Sequence, residues 1–142
     1  KEYAIEILKE YFPKKRIIDL DLKKNDTKPY EGILHLDCTF NPIGEDKCVI
    51  YKNGFVDEDD YQLVIDIFGE ENCFNINDEE MFQMFPNVFS IATDVEVTDK
   101  AFTRMNDHFR NEWGITVEEI PYREISKMGG LLRCSTLPLV RE

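Results

Sequence analysis

The stretch NVFSIATDVEVTDKAFTRMNDHFRNEWGITVEEIP, residues 87–121, decides the fold. NVFSIA (87–92) is an apolar run of strand length, Thr93-Asp94 reads as a turn, and VEVT (95–98) as the returning strand. Asp99 suits a helix N-cap, because its carboxylate can accept the free backbone N–H groups of a first turn. Phe102, Met105, Phe109 and Trp113 then recur at helical spacing and predict one apolar stripe, which Gly114 ends. TVEEIP (116–121) is extended again. The order is strand, strand, helix, strand.

The same order is written about fifty residues earlier, the spacing of a supersecondary repeat. ILHLDCTF (33–40) reads as a strand, NPIGED as a turn, and KCVIYKN (47–53) as the second strand of a hairpin. Asp57 to Asp60 open an acidic helix start, favourable at the positive end of the helix dipole. Tyr61, Val64, Ile65 and Phe68 line one face of that helix and Gly69 ends it. CFNI (73–76) is a short strand, and DEEMFQMF a brief helical piece closed by Pro86. Before the first copy, KEYAIEILKEYF carries Ala4, Ile5, Leu8, Tyr11 and Phe12 on one helical face up to Pro13, RIIDLDL (16–22) reads as a buried strand, and NDTKPYEG is a polar loop. After the second copy, YREISKM is a short helical piece and LLRCSTLPLV (131–140) a last strand. One such unit cannot cover both faces of its own sheet, so repeats of this size close into a ring or stack. The expected class is α/β with short mixed sheets, part of a propeller of strand–strand–helix–strand units.

A chain of 142 residues, 42% hydrophobic and 32% charged, is enough for one domain around one core. Seventeen basic against twenty-nine acidic residues leave a net charge of −12, which argues against a nucleic-acid partner and suits a cationic small molecule. No apolar run approaches the ~20 residues of a membrane span. Cys38, Cys48, Cys73 and Cys134 form no Cys-x-x-Cys pair, so no zinc site is expected, and the expected compartment is reducing: the cytoplasm. The acidic run at 57–60 lacks the spacing and glycine of a calcium loop, and no phosphate-binding loop is present.

Two places could carry chemistry. On a strand over 33–40, alternation would put His35 and Asp37 on one face, either as ordinary solvent-facing polar residues or as the floor of a site. In the second case His35 is a proton carrier and Asp37 grips a cation or planar N–H groups. Cys134 is either a core cysteine of the last strand or a nucleophile; Gly129-Gly130 before it allow close backbone packing, and Arg133 stands beside it. A thiolate with a histidine and a carboxylate is the general pattern of a nucleophilic cysteine enzyme. His108 falls on the polar side of its helix and reads as a surface residue.

His-x-Asp followed by a hydroxyl and Phe (His35, Asp37, Thr39, Phe40), together with the glycine pair and Arg-Cys-Ser-x-x-Pro-Leu-x-Arg from Gly129 to Arg141, resembles the C-terminal half of the guanidino-modifying enzymes. That superfamily includes arginine deiminase, amidinotransferase and dimethylarginine dimethylaminohydrolase. The resemblance runs over essentially all 142 residues and implies a five-bladed α/β propeller (pentein) of ββαβ units, of which this chain supplies about two and a half blades. It further implies that Cys134 attacks the guanidinium carbon of an arginine-like substrate to give a covalent thiouronium. His35 then acts as general acid and base, Asp37 holds the guanidinium, and Arg133 contacts substrate or gates the site. The expected activity is a cysteine-dependent hydrolase. The alternatives are an amidinotransferase, if an amine replaces water, or a non-catalytic binding module of the same fold. A Cys–His protease fits poorly, since no oxyanion loop is visible. The chemistry requires no metal or organic cofactor. The family's remaining carboxylates belong to a motif lying upstream of Lys1. The 142 residues are therefore expected to be the C-terminal part of a single catalytic domain, completed by upstream residues of the same polypeptide or by another fragment.

Overall fold

The computed structural model describes residues 2–25, 27–28, 31–137 and 139. Pro138 and Arg141 of the second motif, and with them the end of the expected last strand, lie outside the described residues.

Both predicted units form, with identical topology. In the first, β1 (Phe40–Ile43) and β2 (Lys47–Ile50) make an antiparallel hairpin, α2 (Glu58–Phe68) crosses over, and β3 (Cys73–Asn75) returns parallel to β2. In the second, β4 (Phe89–Ala92) and β5 (Val95–Asp99) make the hairpin, α4 (Thr103–Asn111) crosses over, and β6 (Thr116–Ile120) lies parallel to β5. Each sheet has three strands with the hairpin's second strand in the middle. Among the described residues three further α-helices lie outside these units: α1 (Glu2–Tyr11), α3 (Asp78–Phe82) and α5 (Arg123–Ser126). No helix among the described residues is long and apolar enough to cross a membrane.

The local chemistry explains the boundaries. Asp57 caps α2 by accepting the Asp59 N–H at 3.1 Å, and Asn77 with Glu80 forms a reciprocal capping box at α3. Pro42 is tolerated inside β1 because β1 is an edge strand and needs no donor on its outer side. Gly44, at φ +59 in the first hairpin turn, lies against the second hairpin: a β-carbon there would stand 2.4 Å from the Thr93 carbonyl oxygen. The main core spans both units, with Ile43, Val49, Phe74, Val88, Phe102 and Phe109 buried together. Each such side chain contributes about 1.5–3 kcal/mol when removed from water. A smaller cluster, Cys48, Ile50, Phe55, Val64, Ile65 and Cys73, closes the first sheet against α2.

Four expectations are corrected. The segment 33–40 is not a strand: Leu36–Cys38 is a single 3-10 turn, and the ladder starts only at Phe40. Residues 16–22 make no strand: the stretch forms an isolated bridge, Leu22 to Phe55, beside which the Val56 N–H donates to the Asp21 carbonyl, and one bridge does not extend into a ladder. Residues 132–135 turn instead of extending as a last strand. Asp99 ends β5, where its carboxylate accepts the Ala101 and Tyr122 N–H groups, and α4 starts after Phe102.

Candidate functional site

The His35–Cys38 turn is tied at both ends. Before it, the Lys24 ammonium donates to the carbonyls of Ile33 and Leu34, both at 2.6 Å. Within it, the Cys38 and Thr39 N–H groups donate to the His35 and Leu36 carbonyls at 3.1 and 2.9 Å. After it, the buried Thr39 hydroxyl donates to the Tyr51 carbonyl, and Tyr51 N–H donates back to the Thr39 carbonyl. His35 and Asp37 thus project from a turn, not from one face of a strand. His35 is exposed and Asp37 half-buried.

The second wall is the turn at Cys134. Leu131 and Leu132 are buried and anchor it, and the Ser135 N–H donates to the Leu131 carbonyl. Gly130 passes so close that a β-carbon there would stand 2.9 Å from the Cys134 β-carbon. Cys134 Sγ is thereby presented outward, 3.6 Å from Asp37 Oδ2, across 97 residues of sequence. On its other side the Asn87 amide Nδ2 donates to the same sulfur at 3.1 Å.

Cys134 is the one exposed thiol of the four; Cys38, Cys48 and Cys73 are buried. Burial pushes the Cys38 thiol up to about 11, and the Asp37 charge adds to that; burial likewise raises Cys48 and Cys73. Deprotonation is what makes a cysteine nucleophilic, so burial disfavours the reactive form of these three.

His35, Asp37, Phe40, Asn41 and Arg133 line an open cavity of about 500 Å³. Arg133 and Asp37 thus share one space with His35, while the His35 ring has no hydrogen-bond partner among the described residues. A larger cavity, about 850 Å³, opens beside Cys38 and is lined by Lys24, Met84, Arg123 and Lys127, but not by His35, Asp37 or Cys134. His108, expected at the surface, is half-buried, its ring 4.9 Å from Phe74 and 4.8 Å from Trp113; partial burial lowers its basicity. Sequence reasoning missed Asn87. The one signal was an amide opening an otherwise apolar run after Pro86.

Comparison with known proteins gives concordant results. The family described as N,N dimethylarginine dimethylhydrolase, eukaryotic, matches residues 6–141. An uncharacterized protein of Bacillus subtilis (strain 168), YkgA, is 30% identical over 138 residues, 97% of this chain and 44% of its own length. Among solved structures, the N-terminal domain of ArgZ bound to product, an arginine dihydrolase from the ornithine–ammonia cycle in cyanobacteria, superposes with a TM-score of 0.79 at 18% identity, over 96% of this chain and 46% of that one. The amidinotransferase SxtG of the saxitoxin biosynthetic pathway, from Microseira wollei, superposes with a TM-score of 0.72 at 17% identity, over 99% of this chain and 39% of that one. The structural matches establish the fold. The chain spans less than half the length of these relatives.

Proposed function

Because this chain belongs to the N,N-dimethylarginine dimethylhydrolase family of guanidino-modifying proteins, we propose that it carries the nucleophile and the acid–base residue of a cysteine-dependent hydrolase acting on arginine or an arginine derivative. The observation that carries this reading is Cys134 Sγ, exposed and 3.6 Å from the Asp37 carboxylate, which itself lines one cavity with His35 and Arg133. A carboxylate beside a sulfur leaves a planar cation as the complementary occupant, and paired charged hydrogen bonds to it are strong and directional.

In this reading the Cys134 thiolate attacks the guanidinium carbon. A C–S bond forms, a C–N bond breaks, and His35 gives its proton to the departing amine. Water then adds to the thiouronium carbon as His35 takes its proton, the C–S bond breaks, and the thiolate is restored. The net change converts guanidinium and water into a ureido group and an ammonium, the second water proton, released as the carbonyl forms, ending on the departed amine. Asp37 holds the substrate N–H groups throughout, and Arg133 edges the cavity where the rest of the substrate lies. An amine in place of water would make the same intermediate an amidino donor. The further carboxylates of the family's chemistry come, in this proposal, from residues beyond these 142, in the same polypeptide or another fragment. Together they close a five-bladed ring to which this chain gives about two and a half blades. The share of its relatives that the chain covers supports this. We place the protein in the cytoplasm on its cysteine usage.

Brief treatment with chloroacetamidine at neutral pH, read by intact mass and peptide mapping, tests the site. Single labelling at Cys134 is expected, blocked by excess arginine or dimethylarginine and absent in Cys134→Ser. No labelling of Cys134 in the folded protein, or labelling that neither arginine nor dimethylarginine slows, would count against the enzyme and for a binding module.

A further inference from the structure

We propose that Asn87 positions the nucleophile: one buried amide locks the Cys134 turn onto the Asp37 turn and turns an N–H toward the reacting sulfur. The inference rests on Cys134 being the nucleophile. Asn87 is 0% exposed. Its Oδ1 accepts two backbone N–H groups of the cysteine turn, Leu131 at 2.8 Å and Cys134 at 3.0 Å. Its Nδ2 donates to Cys134 Sγ at 3.1 Å and to the Asp37 backbone carbonyl at 3.4 Å. Its own backbone carbonyl accepts the Arg133 N–H at 3.1 Å. Both acceptor sites and both donors of the side chain are therefore used, all on the two turns that carry the candidate site.

The orientation of the amide follows from its partners. Leu131 and Cys134 both bring N–H donors, so the oxygen must face them, and the nitrogen is left facing the sulfur. A flipped amide would set donors against donors and an oxygen against sulfur. The backbone around Asn87 is equally fixed. Val88 is fully buried, its carbonyl accepts the Asn41 amide at 3.1 Å, and Phe85 packs on Phe102 at 3.9 Å between ring centres. An N–H donor on a sulfur that becomes negative during turnover is a charge-assisted hydrogen bond, stronger then than in the resting thiol. Such a group acts on the chemical step more than on substrate binding.

Two variants separate the parts of this role. Asn87→Ala removes all four interactions. Asn87→Asp keeps an oxygen for the Leu131 and Cys134 N–H groups but replaces the donor on sulfur with a carboxylate oxygen. The expected result in both is Cys134 labelling by chloroacetamidine slowed at least about tenfold, the loss of one charged hydrogen bond, with Cys38, Cys48 and Cys73 still protected. Turnover of the guanidino substrate should show kcat reduced and KM held within about twofold. Labelling and kcat at wild-type values in Asn87→Asp would overturn the proposal. If wild-type Cys134 itself is not labelled, it is the nucleophile reading that fails; if it is labelled and the variants react equally, only the role of Asn87 fails. Should both variants unfold, shown by labelling of all four cysteines, the ¹⁵N-labelled wild-type protein decides. An Asn87 side-chain NH₂ signal protected from solvent exchange and shifted when Cys134 is alkylated supports the role. A freely exchanging signal, or one that ignores alkylation, overturns it.

Discussion

Gly130 sets the direction of Cys134 by leaving no room behind it. With a β-carbon 2.9 Å from the Cys134 β-carbon and 3.4 Å from its sulfur, Gly130→Ala must push the cysteine turn outward. Overpacking of this kind costs about 1–3 kcal/mol, and here it should also separate Sγ from Asp37. The expected outcome is a lower melting temperature together with slower chloroacetamidine labelling at Cys134. At this scale the motifs singled out Cys134, His35 and Asp37 as candidates and the glycine pair as a place of close approach; the structure sets Cys134 against Asp37, Asp37 and His35 on one cavity, and Gly130 against Cys134. Asn87 was not. Its partners stand 44 to 50 residues away in sequence, and an amide at the head of an apolar run has no local mark of its use.

At the scale of elements, β5 shows a register that burial makes costly. Glu96 is 1% exposed; the Ser90 hydroxyl donates to its Oε2 at 2.5 Å, and its Oε1 has no partner. Burial pushes its carboxyl up to about 8 from the ordinary 4.5, against a smaller opposing effect of Ser90. The folded state therefore keeps a proton that the unfolded chain has released. The stability this gives is complete below pH 4.5 and is lost as pH rises through about 8. Urea midpoints should fall as pH rises from 4.5 to about 8 and level off above, and Glu96→Gln should flatten that slope. A slope unchanged in the variant would place the titrating group elsewhere. Alternation of the kind that made β5 readable also misled. His35-Leu36-Asp37-Cys38 alternates polar and apolar as a strand would, but the Cys38 and Thr39 N–H groups close it into a turn, which Lys24 flanks at Ile33 and Thr39 ties to Tyr51, 9 and 12 residues along the chain. Pro42 read as a turn residue because an edge position could not be known before the sheet order.

Across the whole molecule, the repeat of strand, strand, helix and strand was legible because each unit writes its own periodicity and turn residues. What lies between units was not. α1 forms as its stripe predicts but buries no residue: Tyr11 is 75% exposed, Phe12 52% and Leu8 43%. An apolar face of this kind marks a contact surface. The 142-residue chain by itself is expected to associate with rising concentration in sedimentation. Tyr11→Glu with Phe12→Glu should reduce association while changing unfolding free energy by no more than about 0.5 kcal/mol, as for exposed positions. Undiminished association would move the contact to another face.

The central claim is that Cys134 forms a covalent bond to the guanidinium carbon, and trapping that bond tests it most directly. Turnover of arginine or dimethylarginine is quenched with acid and the cysteine peptides are weighed. The account predicts an adduct on Cys134 alone, of substrate mass less the departed amine, and no ureido product from Cys134→Ser. Product formed at an undiminished rate by Cys134→Ser, or an adduct on another cysteine, would contradict it.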